Sequence, residues 1–251
     1  MKNLLEIKNL SLTYHTKTSE TLALKDLSFA VKQFEFVAIV GPSGCGKTTI
    51  LSLISGLATH DKGDILLNGK KITKTDNSVG YMFQKDHLFP WLTIEQNACL
   101  PLLIKNLKTK ESSTYVNSLL EKYGLKDFKK YHPNQLSGGM RQRAALIRTL
   151  SSKPQLLLLD EPFSALDYQT RLLVCDDVYK IIRNEQKTAI LVTHDISEAI
   201  SLADKIIVLT ERPAKVKNIY YTDFEKSLTP LQRREDEKFS YWFEKLWKEL
   251  N

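Results

Sequence analysis

A glycine-rich segment that ends in a lysine and a threonine carries the clearest chemistry in this sequence. The run is Gly41-Pro42-Ser43-Gly44-Cys45-Gly46-Lys47-Thr48, which fits the pattern G-x-x-x-x-G-K-[ST]. Because glycine has no side chain to block approach, backbone N–H groups in such a loop can turn inward around phosphate oxygens. Lys47 is then suited to reach the β- and γ-phosphates, and Thr48 to place its hydroxyl on Mg²⁺. The segment predicts a nucleotide-phosphate site.

A second segment of the chain has the character of an anion-binding helix N-terminus. Leu136-Ser137-Gly138-Gly139-Met140 stands directly before a run rich in Ala, Leu and Arg. The first turn of a helix presents unpaired N–H groups and the positive end of the helix dipole, and both favour an anion. One chain is therefore expected to carry two phosphate-binding elements, far apart in sequence.

Carboxylates follow an apolar strand further along the chain. Leu156 to Leu159 are four leucines, and Asp160 and Glu161 come directly after them. Ligands bind at the carboxyl ends of strands in open α/β sheets. Asp160 is suited to hold Mg²⁺, directly or through water, and Glu161 to polarise an attacking water. General-base assistance of that kind contributes ~10²–10⁴ in rate.

Two further polar residues follow strand-like runs. His194 comes after Ala189–Thr193, and Gln84 comes after Val79–Phe83. A neutral imidazole at a strand end can hydrogen-bond the γ-phosphate or hold the attacking water. An amide can both ligate Mg²⁺ and orient water. Taken alone, each residue fits a structural role better, and only the accompanying motifs favour a catalytic one.

The elements that must position these residues alternate along the chain. Leu4–Leu12 and Leu27–Val31 predict strands, Phe36–Val40 a buried strand, and Asn68-Gly69 a hairpin turn. Lys47 to Ser55 predicts a helix that Gly56 ends. Residues 93–150 are helical in character and read as an inserted lobe. Gln155–Leu159 and Ala189–Val192 then predict parallel strands covered on both faces.

Composition and charge distribution argue against a membrane-spanning protein and against a nucleic-acid-binding protein. The chain has 251 residues and a net charge of +7, and residues 101–132 hold seven lysines against three acidic residues. That segment fits a solvated helical face better than a surface for anionic lipid, and no aromatic-plus-basic module for nucleic acid accompanies it. No apolar run approaches the ~18 residues of a membrane span. We expect a cytoplasmic protein with no nucleic-acid partner.

The tail from Pro230 predicts an amphipathic helix. Its large apolar residues recur at helical spacing, and its polar face mixes acidic and basic side chains. A membrane-surface helix is usually mostly basic, so we expect packing against the body or a partner protein. The apolar residues are Phe239, Trp242, Phe243, Leu246, Trp247 and Leu250.

Together these motifs resemble an ATP-binding cassette ATPase, the cytoplasmic engine of an ABC transporter, over nearly all of residues 1–215. The resemblance implies an α/β fold with a P-loop NTPase (RecA-like) core, an antiparallel β subdomain and an inserted α-helical subdomain. It implies an ATPase domain over residues 1–225, with the helical lobe at about 93–150, and a C-terminal extension over 226–251. The residues it assigns to ATP are Tyr14 (stacking on adenine), Gly41, Pro42, Ser43, Gly44, Cys45, Gly46, Lys47, Thr48, Thr49, Ser137, Gly138, Gly139 and Asp167.

The same resemblance implies the chemistry and the partners. Glu161, His194, Gln84 and Lys47 would be catalytic, and Thr48, Gln84 and Asp160 would hold Mg²⁺. Two copies would dimerise head to tail, so that the signature at Ser137 covers ATP held by the other chain. Motion would pass to membrane permease subunits and, indirectly, to a solute-binding protein, with the chain peripheral on the cytoplasmic face of the membrane.

Weaker signals concern the branch of the family. Leu88–Thr93 with Asn97, and Leu209–Ala214, resemble the nitrate/sulfonate/taurine importers. Phe89 to Leu92 would then lie where the family receives a coupling helix, although local packing explains that stretch equally well. Soluble ABC ATPases of repair or translation and exporter-type cassettes stay open as alternatives, and the solute cannot be read from the sequence.

Cys45 and Phe34 are two further positions at which the sequence is unusual or indicates a specific property. Cys45 lies near a helix N-terminus, a setting that lowers a thiol pKa, so we expect alkylation to block ATPase activity and MgATP to protect. Phe34 stands where related cassettes usually have glycine, in the turn that enters the phosphate-loop strand.

Overall fold

The structure is a computed structural model, and it describes residues 2–16 and 19–250. Among these residues no helix combines the length and apolar character needed to cross a bilayer. The strands are β1 (Asn3–His15), β2 (Glu20–Lys32), β3 (Phe36–Val40), β4 (Lys62–Leu67), β5 (Lys70–Lys71), β6 (Val79–Met82), β7 (Leu156–Asp160), β8 (Thr188–Val192), β9 (Lys205–Leu209) and β10 (Val216–Tyr221). The helices are α1 (Lys47–Ile54), α2 (Ile94–Ile104), α3 (Lys110–Lys122), α4 (Gly138–Leu150), α5 (Tyr168–Asn184), α6 (Ile196–Leu202), α7 (Pro230–Glu235) and α8 (Glu237–Leu250).

A six-stranded sheet of order β10-β9-β3-β8-β7-β6 forms the centre of the molecule. Its strands pair in parallel except β10, which runs antiparallel to β9. Every residue of β3, β7, β8 and β9 is buried, as expected for parallel strands covered on both faces. Because β3, β8 and β7 are neighbours, the segments that follow them leave the same edge of the sheet.

An antiparallel sheet of order β2-β1-β4-β5 lies against α1 and one face of the central sheet. The turn between β4 and β5 is formed by Asn68 and Gly69, with φ angles of 51° and 76°. Two positive φ angles are what a two-residue hairpin requires and what an Asn-Gly pair tolerates. The hairpin predicted from the sequence is confirmed.

The helices α2, α3 and α4 lie between β6 and β7 in the chain, as the sequence predicts. Thr93 and Thr109 begin α2 and α3 with reciprocal capping boxes, which satisfy N–H groups that the first turn leaves unpaired. The buried residues of α3 are Val116, Leu119 and Leu120, the stripe expected from helical spacing.

The tail contains two helices, of which α8 (Glu237–Leu250) is the amphipathic helix expected from the sequence and α7 (Pro230–Glu235) precedes it as a separate element. Asp236 has an extended backbone (φ −72°, ψ 140°) and ends α7, and its carboxylate accepts a hydrogen bond from Lys238 N at 2.9 Å. A short acidic side chain that bonds the backbone two residues ahead favours a break over a continuous helix. The apolar stripe lies on α8, where Trp242 and Leu246 are buried in the main core. The expected packing against the body is confirmed, and the boundary at residue 226 stays a prediction.

Candidate active site

The segment Gly41–Thr48 forms a loop between β3 and α1. Gly44 and Gly46 adopt φ angles of 72° and 120°, a region that glycine enters without steric cost. The helix α1 begins after Gly46 with no side-chain cap, so its N–H groups face the loop. Lys47 is only 7% exposed, and its Nζ donates to the carbonyl oxygens of Gly41 and Pro42 at 2.8 and 2.9 Å. The uncapped N–H groups at the start of α1 and the Lys47 ammonium are donors suited to bind a phosphate group.

Thr48 and Asp160 meet across the gap between α1 and β7. Thr48 Oγ1 donates to Asp160 Oδ1 at 3.0 Å, and the hydroxyl of Tyr81 donates to Oδ2 at 3.0 Å. Burial raises the pKa of the Asp160 carboxyl above its usual range. A hydroxyl and a carboxylate at this distance are the oxygen donors that Mg²⁺ takes, so the residues fit the ion. Sequence reasoning missed Tyr81, although it lies in the strand that the sequence singled out.

Two of the other predicted catalytic residues, His194 and Gln84, contact the Glu161 carboxylate. His194 Nδ1 lies 3.1 Å from Glu161 Oε2, and Gln84 Nε2 lies 3.4 Å from the same oxygen. Gln84 also donates to Ser164 Oγ at 3.2 Å. Glu161 itself has a φ of 45°, a costly conformation for a non-glycine residue that clusters at functional sites. The ends of β6, β7 and β8 thus bring Gln84, Glu161 and His194 together.

One cavity of about 550 Å³ unites the phosphate loop with this cluster. That volume is within the range of small-molecule sites. Its lining consists of Ser43, Gly44, Gly46, Lys47, Thr48, Thr49, Glu161, His194 and Arg212.

Arg212 is a site residue that sequence reasoning did not assign. Its Nη2 donates to the carbonyl oxygen of Gly44 at 2.6 Å. The backbone around it is tied to β2, because Ala214 N donates to Ala23 O at 2.9 Å. The stretch Leu209–Ala214 had only suggested a branch of the family, and nothing local indicates that its arginine reaches the phosphate loop.

Tyr14 lies at the edge of the phosphate-loop helix. Its ring is 45% exposed, and its hydroxyl is 3.0 Å from Thr49 Oγ1. An exposed aromatic face beside the loop is available for stacking against a flat ligand. The expected role of Tyr14 therefore fits the geometry and stays a prediction.

The signature segment lies at the start of α4 and is not part of the cavity lining within the described chain. Ser137 caps the helix, and its Oγ accepts from Met140 N at 3.3 Å. A Cβ on Gly139 would lie 2.7 Å from Val174 Cγ2, and one on Gly138 would lie 2.9 Å from Leu166 Cδ2. Gly139 therefore permits close packing of α4 against α5, and Gly138 permits close packing against the segment that precedes α5.

Asp167 caps α5 in the same region. Its carboxylate accepts from Thr170 N at 3.0 Å, and that backbone hydrogen bond lowers the pKa of the carboxyl. Within the described chain this residue, like the signature, does not line the cavity that contains the phosphate loop.

The expectation that the helix N-terminus lowers the pKa of the Cys45 thiol was wrong. The side chain is 1% exposed, and burial raises the pKa of the thiol despite the nearby Lys47 ammonium. Its side chain points into the core beneath the loop, among the residues of the antiparallel sheet and α1. Desolvation disfavours the thiolate more strongly than the neighbouring positive charge favours it.

Comparison with known proteins decides the family. The family described as ABC transporter matches residues 24–164 of this chain, a range that begins in β2 and extends past Glu161. The chain belongs to the ABC transporter ATP-binding family. It is an ATP-binding cassette ATPase, with the cassette fold of P-loop NTPases.

One similar protein is an uncharacterized ABC transporter ATP-binding protein, and another is named for the solute that is imported. It is 44% identical over 248 residues to the uncharacterized ABC transporter ATP-binding protein YtlC of Bacillus subtilis (strain 168), covering 98% of this chain and 95% of that one. It is 41% identical over 196 residues to the aliphatic sulfonates import ATP-binding protein SsuB of the same organism, covering 78% and 76%.

Solved structures of the cassette MJ0796 share the fold. The dimeric structure of that ABC transporter cassette superposes with a TM-score of 0.73 at 32% identity, covering 88% of this cassette and 100% of MJ0796. A dimeric post-hydrolysis state bound to ADP and Pi gives 0.72 at 30% identity over the same shares.

Proposed function

We propose that this cassette is the ATP-hydrolysing subunit of an ABC importer, peripheral on the cytoplasmic face of the membrane. The observation that carries the proposal is the single cavity in which the phosphate loop faces Glu161 and His194. The importer direction and a sulfonate solute are supported by relatives named as aliphatic sulfonates import ATP-binding proteins. Nitrate and vitamin-precursor solutes enter the proposal only through the resemblance to that branch of the family.

Each residue of the cavity has a role in this proposal. The N–H groups of Gly44, Gly46 and Lys47 hold the β-phosphate, and the Lys47 ammonium moves onto the phosphates from the carbonyls it now contacts. Thr48 and Asp160 would hold Mg²⁺, which neutralises charge on the β- and γ-phosphates when it is bound. Glu161 accepts a proton from the attacking water, and His194 and Gln84 hold the water and the γ-phosphate in line.

The signature residues act in this proposal on the nucleotide of a second copy. Ser137, Gly138 and Gly139 sit at a helix N-terminus away from the cavity of their own chain, and both similar cassette structures are dimeric. A head-to-tail arrangement places that N-terminus over the ATP of the partner. ATP then closes the dimer and hydrolysis opens it.

A pair of exposed aromatic rings forms the surface that we assign to the permease. Phe89 and Trp91 are 37% and 69% exposed, with ring centroids 4.9 Å apart. The buried Asn97 holds the turn beneath them: its Oδ1 accepts from Phe89 N at 2.7 Å, and its Nδ2, which has two N–H donors, lies within 3.1 Å of three carbonyl oxygens. Aromatic side chains on a rigid turn are suited to anchor a partner helix.

Coexpression with a permease tests the proposal. We expect the tagged chain to enter the membrane fraction only when the permease is present, and Trp91→Ala to reduce that recruitment. Leu57→Ala removes another exposed apolar side chain and serves as the control. Recruitment without a permease, or ATPase stimulation by DNA or ribosomes, would contradict the proposal and favour a soluble ABC ATPase.

A further inference from the structure

A second cavity lies at the opposite end of the central sheet from the phosphate loop. Its volume is about 420 Å³, and it opens between the β2–β3 turn and the C-terminal tail. Glu35 in its lining precedes β3, whereas the phosphate loop follows β3. Five residues of strand separate the two ends by about 17 Å. We call this the tail cavity, and none of the proposed catalytic residues lines it.

The lining of the tail cavity carries more positive than negative charge. Its two acidic residues, Glu35 and Asp204, already have partners: Glu35 Oε2 lies 2.9 Å from the buried Lys205 Nζ, and Asp204 Oδ1 lies 2.6 Å from Arg183 Nη2. Asp204 Oδ2 also accepts from Phe36 N at 2.8 Å. The remaining cations of the lining are Lys32, Lys226 and Arg233.

Arg233 is the least solvated of these cations. It is 1% exposed, and it donates to the carbonyl oxygens of Ser201 and Ala203 at 3.3 Å and to the Tyr179 hydroxyl at 2.9 Å. Within the described residues its Nε has no acceptor. Every one of these acceptors is neutral, and no carboxylate of the described residues forms an ion pair with the guanidinium, although the nearby Asp204 carboxylate acts on it through space. A buried charge whose hydrogen-bond partners are all neutral is costly, and an anion placed beside it would offset part of that cost.

Aromatic rings make the cavity suitable for an apolar group as well. The Cζ atom of the Arg233 guanidinium lies 5.5 Å from the ring centroid of Phe224, and Phe34 lines another wall of the cavity. Phe34 is 45% exposed and has a φ of 64°. Its backbone is held there by N–H donation to Thr188 Oγ1 at 2.8 Å and by Arg183 Nη1 donating to its carbonyl at 3.0 Å. A bulky residue held in a left-handed conformation marks a constrained and often functional position.

We propose that the tail cavity binds a small organic anion with a flat apolar body. The sulfonate or carboxylate group of the ligand lies against Lys226 and Arg233, and its apolar body lies between Phe34 and Phe224. Because Arg233 belongs to α7 and Glu35 precedes β3, the ligand contacts both the tail and the nucleotide-binding core. This site does not depend on the proposed importer function.

Calorimetric titration of the full chain tests the site with three probes. Naphthalene-2-sulfonate carries both features of the ligand, 2-naphthalenemethanol lacks the charge, and inorganic sulfate lacks the apolar body. We expect one molecule of the sulfonate to bind per chain, and each of the other probes to bind at least about tenfold more weakly, since about 1.4 kcal/mol corresponds to a tenfold change. Binding should persist in saturating ATP and in Lys47→Ala.

Variants locate the binding in the tail cavity. Lys226→Ala and Phe34→Gly should each weaken naphthalene-2-sulfonate by about fivefold to tenfold, a loss of roughly 1 kcal/mol. Phe34→Gly should also raise the melting temperature, because glycine removes the strain of the positive φ. The side chains of Lys226 and Phe34 are outside the buried core. Their variants therefore test the site even if Arg233→Met, which replaces a buried side chain, detaches the tail from the core. Lys110→Ala, on the exposed face of α3, should bind like the wild type.

Four results would overturn the proposal. The neutral alcohol binding as tightly as the sulfonate would make the cavity a simple apolar crevice. Displacement of the sulfonate by ATP would place the probe at the phosphate loop. Unchanged affinity in both Lys226→Ala and Phe34→Gly, or no sulfonate binding at all, would exclude the tail cavity as an anion site.

Discussion

Glu198 should make the stability of the cassette depend on pH near neutrality. Its side chain is 3% exposed in the first turn of α6, and Thr193 Oγ1 donates to its Oε2 at 2.6 Å. Burial raises the pKa of the Glu198 carboxyl to about 7, from an ordinary value of 4.5. The Asp195 carboxylate raises this pKa further, while the Thr193 hydrogen bond, Arg171 and His194 lower it.

The sign and size of the effect follow from proton linkage. Between pH 4.5 and about 7 the folded chain keeps a proton on Glu198 that the unfolded chain has released. The free energy of unfolding therefore falls as pH rises, by about 1.4 kcal/mol per pH unit, and the loss is complete above the folded-state pKa. Over this window the loss amounts to about 3 kcal/mol.

Glu198→Gln removes this dependence, because an amide does not ionise and its oxygen still accepts from Thr193. We expect the variant to match the wild type at pH 4.5 and to be more stable by up to about 3 kcal/mol at pH 8. Urea unfolding followed by tryptophan fluorescence measures this, with the exposed Glu244→Gln as the matched control. Parallel pH profiles for wild type and Glu198→Gln would refute the reasoning.

Three further predictions concern the candidate active site. Glu161→Gln should keep ATP binding, lower turnover by ~10²–10⁴ and trap an ATP-bound dimer; near-normal turnover would remove Glu161 as the base. Arg212→Ala should raise the KM for ATP by about threefold to tenfold with little change in kcat, because a charged donor no longer holds the Gly44 carbonyl. Lys215→Ala, at a neighbouring position in the same turn, is the control. An equal rise in KM for both variants would argue against a specific role of Arg212. Iodoacetamide should label Cys45 slowly in the folded chain and rapidly in urea, and mass spectrometry showing fast native labelling would contradict its burial.

The sequence predicted those parts of the fold that local patterns determine. The strand predicted at Phe36–Val40 has those bounds in the structure, because a short apolar run followed by a glycine-rich loop leaves few alternatives. The meeting of Glu161 and His194 followed from strands whose carboxyl ends share one edge of a parallel sheet. Local pattern and topology were enough to place Glu161 and His194 at one edge of the sheet, whereas Gln84 was assigned to the site through the family resemblance.

Contacts between distant segments account for what the sequence did not predict. Arg212 reaches Gly44 across 168 positions of the chain, and no local pattern indicates that pairing. Cys45 was assigned a reactive thiol from its place beside a helix N-terminus, whereas its burial depends on packing against the antiparallel sheet. The break at Asp236 has a local cause instead, because the hydrogen bond from Lys238 N to its carboxylate competes with a continuing helix.

If the signature of a second copy completes each ATP site, then mixing two inactive variants should restore ATPase activity. Ser137→Arg blocks the signature and Lys47→Ala disables the phosphate loop, so each variant alone should lack ATPase activity. A mixed dimer contains one intact composite site. Equal mixing at concentrations that support wild-type dimers should restore up to about a quarter of wild-type activity, because half of the dimers are mixed and each holds one of two sites. No recovery under those conditions would contradict action across the dimer.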